Sequence, residues 1–237
     1  MPIQRIVIAN AKGGCGKTTL ATNIASYYAS RGKHVRLFDH DHQNSALHWS
    51  RRRQEPLLPI DVVNASRGPD NRMTRSWQLR VPAGTDLVVV DTPAGVGPSE
   101  LAALVVERDY LIIPVLPSPI DIHATAHFIK DLLLVGRARQ RQLKVSVVAN
   151  RVRKNTRMYH ALERFLFSLD IPFVTALRDT QNYPRAIDQG LSVLELKQRQ
   201  RKLEQEQWAP LLRWLQDAPF EAQIHPFPQS NKRLDRA

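Results

Sequence analysis

Ala11-Lys12-Gly13-Gly14-Cys15-Gly16-Lys17-Thr18-Thr19 is the stretch that decides the fold. It follows an apolar run, Ile6-Val7-Ile8-Ala9, and leads into a helical spacing through Leu20, Ile24 and Tyr27 or Tyr28. Strand, glycine loop, lysine, threonine and helix come in the order that a nucleoside triphosphate requires. Gly13, Gly14 and Gly16 let the backbone fold round phosphates with its N–H groups inward, and the helix N-terminus adds partial positive charge. Lys17 is placed to reach the β- and γ-oxygens, and Thr18 to put its hydroxyl on Mg²⁺. Cys15 and Thr19 complete the cradle, with Cys15 a small filler at its variable position. The usual pattern has glycine six residues before the lysine; here that residue is Ala11, and a second lysine, Lys12, follows it. One lysine suffices to grip the phosphates of its own nucleotide. Lys12, set before the tight turn, points away from that pocket or across an interface.

Three further strand ends deliver polar residues. Leu37-Phe38-Asp39-His40-Asp41-His42-Gln43-Asn44-Ser45 closes the second apolar run with two carboxylates that have one residue between them. Residues two apart share a face of a strand, so Asp39 and Asp41 can approach one metal–phosphate centre. In Leu87-Val88-Val89-Val90-Asp91-Thr92-Pro93-Ala94-Gly95, four apolar residues lead to an aspartate of the kind that holds a Mg²⁺-bound water, followed by a switch-like loop. Val147-Val148-Ala149-Asn150-Arg151 ends a fifth run on an asparagine, which offers both a donor and an acceptor to a base edge.

The apolar runs Arg5–Ala9, Val35–Asp39, Leu87–Asp91, Tyr110–Val115 and Val145–Asn150, with shorter ones at Ile60–Val63 and Phe173–Ala176, read as strands. Helical patterns at Leu20–Ser30 and Ile120–Val135 lie between them. Nearly all-apolar strands alternating with helices predict a doubly wound, mostly parallel sheet flanked by helices. Arg51–Pro59 and Arg67–Arg80 read as a short helix and loops on the rim. Lys202–Leu215 carries apolar residues at Leu203, Trp208, Leu211, Leu212 and Leu215 and reads as a last helix packed on the sheet. Residues 1–218 are expected to form one domain and 219–237 a flexible tail.

At 237 residues the chain has room for one well-buried α/β sheet, and its 43% hydrophobic and 24% charged composition is that of a globular protein. A single cysteine excludes a disulfide framework and a cysteine-bound cluster, and suits a reducing cytoplasm. No apolar run is long enough to span a bilayer, and the N-terminus shows no cleavable signal pattern. The formal charge of +12 exceeds what an enzyme of small-molecule metabolism requires and points to a polyanion such as DNA. One basic group includes Arg137, Arg139, Arg141 and Lys144 and runs on through Arg151, Arg153, Lys154 and Arg157. Another, Lys197, Arg199, Arg201 and Lys202, lies before the expected last helix.

The loop Lys-Gly-Gly-x-Gly-Lys-Thr-Thr, with the Asp-x-Asp and apolar-Asp signatures behind it, resembles the deviant Walker A ATPases of the ParA/MinD family. The likeness runs from the N-terminus to about Leu196. It departs at His42, where proline is usual, and at Asn44, where glycine is common. The resemblance implies a P-loop NTPase that hydrolyses ATP to ADP and phosphate with Mg²⁺. Lys12 would reach into the partner's nucleotide in an ATP-sandwich homodimer. Asp41 would orient the attacking water, with Lys17 on the phosphates. Thr18, Asp39 and Asp91 would serve the Mg²⁺ shell, and Asn150 would contact adenine.

The ParA-like branch further implies a dimer that binds nucleoid DNA without sequence preference in the cytoplasm. A cargo-adaptor protein would stimulate hydrolysis as a plasmid, chromosome region or protein body such as a carboxysome is positioned. In that branch the C-terminal basic residues form the DNA face, which would be Lys197, Arg199, Arg201 and Lys202. The alternative is a MinD-like ATPase recruited to the membrane through an amphipathic C-terminal helix. Glu204, Glu206 and the trailing non-helical tail beyond Pro219 argue against membrane binding.

Overall fold

The computed structural model describes residues 3–66, 74, 78–134, 140–169 and 171–216. The expected mobile tail, most of the segment 67–80, and Arg137 and Arg139 lie outside them. Among the described residues seven strands form one sheet: β1 (Gln4–Ile8), β2 (Val35–Asp39), β3 (Asp61–Asn64), β4 (Leu87–Asp91), β5 (Tyr110–Val115), β6 (Lys144–Val152) and β7 (Phe173–Arg178). Their order is β3-β2-β4-β1-β5-β6-β7, and every pairing is parallel.

The helices among the described residues include α1 (Lys17–Ala29), α2 (Ser45–Ser50), α3 (Pro98–Leu104), α4 (Pro119–Leu134), α5 (Arg157–Phe167), α6 (Asn182–Asp188) and α7 (Gln198–Leu215). Side chains alternate across each strand, so the sheet feeds two cores. Ile6, Ile8, Leu37, Val89 and Ile112 face α1, α2, α6 and α7. Val7, Phe38, Val90, Leu111 and Ile113 face α3, α4 and α5. Burial on both faces is why β4 and β5 read as unbroken apolar runs, with every residue buried.

The chain leaves β1 through α1 toward β2 and leaves β4 through α3 toward β5, on opposite faces. A crevice therefore opens at the carboxyl edge of β1 and β4, where ligands bind in open α/β sheets. The loops after β1, β2 and β4, together with Asn150 on β6, meet there.

One boundary needs correction. The last helix starts at Gln198, so Arg199, Arg201 and Lys202 lie in its opening turns with Lys197 as the preceding residue. Gln198-Arg199-Gln200-Arg201-Lys202 has no apolar residue to set a helical phase, which hid the first turn. Leu203, counted among the packing positions, is 51% exposed, while Trp208, Leu211, Leu212 and Leu215 are in the core. The polar side is pinned as well: Glu204 is fully buried and accepts from Arg178 at 2.6 Å and from Asn182 at 3.0 Å.

Contacts fix the helix direction. Gln207 accepts from Thr175, Glu204 from Arg178 and the Gln200 carbonyl from Asn182, so α7 runs antiparallel to β7. Its basic N-terminal turn therefore stands at the carboxyl edge of the sheet, on the same side as the phosphate loop.

Candidate nucleotide site

The loop between β1 and α1 is held in shape by its own chain. Asn10 is fully buried and donates to the Pro114 carbonyl (2.7 Å) and the Thr125 hydroxyl (3.0 Å), while its Oδ1 accepts from the Lys12 amide (3.1 Å). Asn150, at the end of β6, donates to the Cys15 carbonyl at 2.8 Å, and its Oδ1 accepts from the Arg151 amide at 3.0 Å. A Cβ at Gly16 would fall on that Asn150 amide, and Gly16 has φ 98, so only glycine fits. The Gly95 amide donates to the Ala11 carbonyl, and Thr92 donates through its amide and hydroxyl to Ile8. The loop after β4 is thus bonded directly to the phosphate loop.

Lys17 is buried, and its ammonium donates to the Asn10 and Lys12 carbonyls at 3.2 and 3.1 Å. Lys12 is half-buried, and its ammonium makes no hydrogen bond or ion pair with any described residue. Cys15 is 1% exposed with its thiol against the Lys12 carbonyl. Burial pushes that thiol up, outweighing the opposing charge of Lys17, so it stays protonated and serves as the small filler.

Asp91 is fully buried, and neither carboxylate oxygen has a hydrogen-bond partner among the described residues. Burial pushes its carboxyl up to about 8. The neighbouring Thr18 hydroxyl and the Lys17 ammonium pull it down; Asp39 and Asp41 push it up. Those influences gather Lys17, Thr18, Asp39, Asp41 and Asp91 into one electrostatic neighbourhood. A buried carboxylate without a donor, beside a hydroxyl and two further carboxylates, is a fitting environment for a hard cation. Among the described residues no cluster of three or more His, Cys, Asp or Glu would hold a metal unaided. That pattern suits Mg²⁺, which binds through few protein groups together with substrate phosphates.

The two carboxylates after β2 have different surroundings. Asp39 is fully buried, and its oxygens accept from the backbone amides of Asp41 (3.1 Å), Ala46 (3.0 Å) and Leu47 (3.1 Å). Burial raises its carboxyl more than those amides lower it. It secures both the Asp41 loop and the first turn of α2. Asp41 is half-exposed, with one oxygen accepting from the Gln43 amide at 2.9 Å. Asn44 has φ 51, the left-handed region, which explains a position where glycine is common.

A tie that the sequence did not reveal connects this loop to the chain's last third. Trp49 donates to the Leu191 carbonyl at 3.0 Å. Arg53 forms a bidentate pair with Glu195 at 2.8 and 2.9 Å and donates to the Gly190 carbonyl at 3.0 Å. Asn23 of α1 accepts from the Val193 amide at 2.8 Å. No local spacing announces contacts about 140 residues apart. Asn10 carried a weak signal, as a polar residue closing an apolar strand just ahead of the glycines.

Residues 6–193 match the CobQ/CobB/MinD/ParA nucleotide-binding domain, and the chain belongs to that family of nucleotide-binding proteins. It is 32% identical over 203 residues to "Maintenance of carboxysome distribution protein A" of Halothiobacillus neapolitanus, across 83% of this chain and 89% of that protein. Among solved structures it resembles a putative plasmid partition protein of Borrelia burgdorferi bound to AMPPNP (TM-score 0.65, 18% identity, 90% of this chain and 100% of that one). It also resembles a Cyanothece McdA aspartate-to-alanine variant in complex with ATP (TM-score 0.61, 17% identity, 88% and 96%). At those identities the solved structures establish the P-loop NTPase fold of ParA and MinD proteins.

Of the expected site residues, the structure gathers Gly13, Gly14, Cys15, Gly16, Lys17, Thr18, Thr19, Asp39, Asp41, Asp91 and Asn150 around one crevice. Lys12 lies on its rim. Lys197, Arg199 and Lys202 are exposed, whereas Arg201 is half-buried and donates to the Leu194 carbonyl at 3.1 Å. In the other basic group, Arg141 donates to the Ala102 and Val105 carbonyls at the end of α3, and Arg153 pairs with Asp179 at 2.6 Å. No helix among the described residues is long and apolar enough to cross a membrane. The apolar residues that would have faced a membrane surface, Trp208, Leu211, Leu212 and Leu215, are buried against the sheet.

Proposed function

We propose that this chain is an ATP-driven positioning switch of the ParA type. Two copies close on two ATP molecules, the closed dimer binds DNA without regard to sequence, and hydrolysis, stimulated by an adaptor protein, releases it. The observation that carries this reading is Lys12, a second phosphate-loop lysine whose ammonium takes no partner among the described residues while Lys17 fills its own pocket. The relative named for carboxysome distribution supports a protein organelle as the cargo. Mg²⁺, held through Thr18 with Asp91 and Asp39 behind it, would neutralise charge on the phosphates. Lys17 grips the β- and γ-oxygens, Asp41 orients the attacking water, and Asn150 braces the loop with lone-pair capacity left for the adenine edge.

With ATP and Mg²⁺, light scattering should show the parent protein changing from monomer to dimer. Lys12→Ala should stay monomeric while still binding ATP, and Lys17→Ala should lose ATP binding itself. An equal mass for the parent and Lys12→Ala in ATP would remove Lys12 from the interface.

The DNA face is assigned to the start of α7. Cations near a helix N-terminus oppose the macrodipole by about 0.3–1 kcal/mol each. Lys197, Arg199 and Lys202 accept that cost with no acid in the first turn, and a phosphate backbone would offset it. Six such contacts on a dimer would weaken binding roughly a thousand-fold between about 50 and 200 mM salt. Arg199→Glu with Lys202→Glu should abolish ATP-dependent DNA retention and leave dimerisation intact. Arg201 is left out of that test because its guanidinium holds the Leu194 carbonyl. Retention unchanged in the double variant would move the face to Arg151, near the end of β6, with Lys154 and Arg157 beyond it, all three exposed.

A further inference from the structure

Helix α4 displays a pair of side chains that the nucleotide chemistry does not use. His123 and His127 are one turn apart on its exposed side, with ring centroids 4.5 Å apart and planes at 75°. Their Nε2 atoms approach to 3.1 Å, and neither ring has another hydrogen-bond partner among the described residues. The two ring nitrogens can share one hydrogen bond across that distance, one ring donating and the other accepting. They are, however, spaced as two ligands of a single ion. With metal–nitrogen bonds of about 2.0–2.1 Å, neighbouring ligands of one ion are separated by roughly 2.9–3.4 Å, from right-angled to tetrahedral geometry.

We infer that His123 and His127 form a two-point chelate for a borderline divalent cation of the Zn²⁺ class. Imidazole suits such ions, whereas Mg²⁺ prefers oxygen ligands, so this position and the nucleotide site would select different metals. Histidines at i and i+4 present their nitrogens on one helix face, the arrangement that two-histidine metal motifs use. Of the residues continuing the stripe, Asp131 adds a negative charge one turn further on and Lys130 an opposing one. The remaining coordination positions fall to water or to a group from another molecule. Thr125, between the two histidines in sequence, faces inward and accepts from Asn10. An ion bridging this turn would therefore brace the helix that anchors the phosphate loop.

Isothermal titration of untagged, full-length protein with Zn²⁺, in millimolar Mg²⁺ and ADP, tests the site. One Zn²⁺ per chain should bind, with affinity at least tenfold weaker in His123→Gln and in His127→Gln. Circular dichroism of both variants should match the parent, because the side chains are exposed. Asp91→Asn should bind Zn²⁺ as the parent does, which separates this ion from one at the phosphates. Binding unaltered by both histidine variants, or abolished by Asp91→Asn, would overturn the proposal.

Discussion

Replacing Asp41 with alanine is expected to slow ATP hydrolysis by about 10²–10⁴-fold, the usual cost of losing a group that handles the attacking water's proton. No described residue of the phosphate loop is hydrogen-bonded to the Asp41 side chain, which accepts from the Gln43 amide, so nucleotide binding should persist. Single-turnover phosphate release gives the rate, and retention of labelled ATP shows that the site is filled. The variant should then accumulate as a DNA-bound dimer. Asp39→Asn is the informative comparison. Asp39 anchors three backbone amides, so its replacement should disturb the Asp41 loop and α2 and lower thermal stability. An Asp41→Ala enzyme that turns over at the parent rate would transfer the water-orienting role to another group.

Replacing Glu195 with alanine is expected to have the largest effect on stability. It leaves the Arg53 guanidinium, whose side chain is 5% exposed, without its counter-charge. Breaking a buried ion pair from one side typically costs about 3–5 kcal/mol. Arg53 keeps neutral acceptors in Gly190 and Leu58, which places this case near the lower end. For a chain of this size that corresponds to a fall in Tm of roughly 6–12 °C. Glu195→Gln, which keeps the acceptor and removes the charge, should lose less. A calorimetric Tm within a degree or two of the parent would show that the pair is dispensable.

Most of the sheet was legible because its strands are buried on both faces and carry their apolar character without interruption. Leu87–Asp91 and Tyr110–Val115 were bounded from sequence as the structure has them. The phosphate loop, the Asp91 strand and Asn150 were legible for a related reason. Each is a polar residue ending an apolar run, and strand ends are where this class of sheet collects its ligands. Helix α5 was harder to see, since it opens on Arg157, the last residue of a group read for its charge. Its apolar face, Tyr159, Leu162 and Leu166, is a short stripe among arginines. The opening turn of α7 was hidden in the same way. Arg53 with Glu195 was not legible at all, because a buried ion pair across the fold leaves no periodic trace in either segment. The sequence also gave no means of separating free basic residues from engaged ones. Arg141, Arg153 and Arg201 look like Arg199 in a charge count, yet each is held by a carbonyl or carboxylate.

The two carbonyls that receive Lys17 turn the phosphate pocket into a competition. If Lys17 grips the phosphates as proposed, an arriving ligand must draw the ammonium away from Asn10 and Lys12, exchanging two neutral acceptors for its own oxygens. A nucleoside or a lone hydroxyl offers nothing better than what the lysine already has. A polyphosphate offers concentrated negative charge and wins the exchange. On that proposal, rejection of uncharged look-alikes would be built into the resting contacts of one side chain, before base, ribose or metal is consulted.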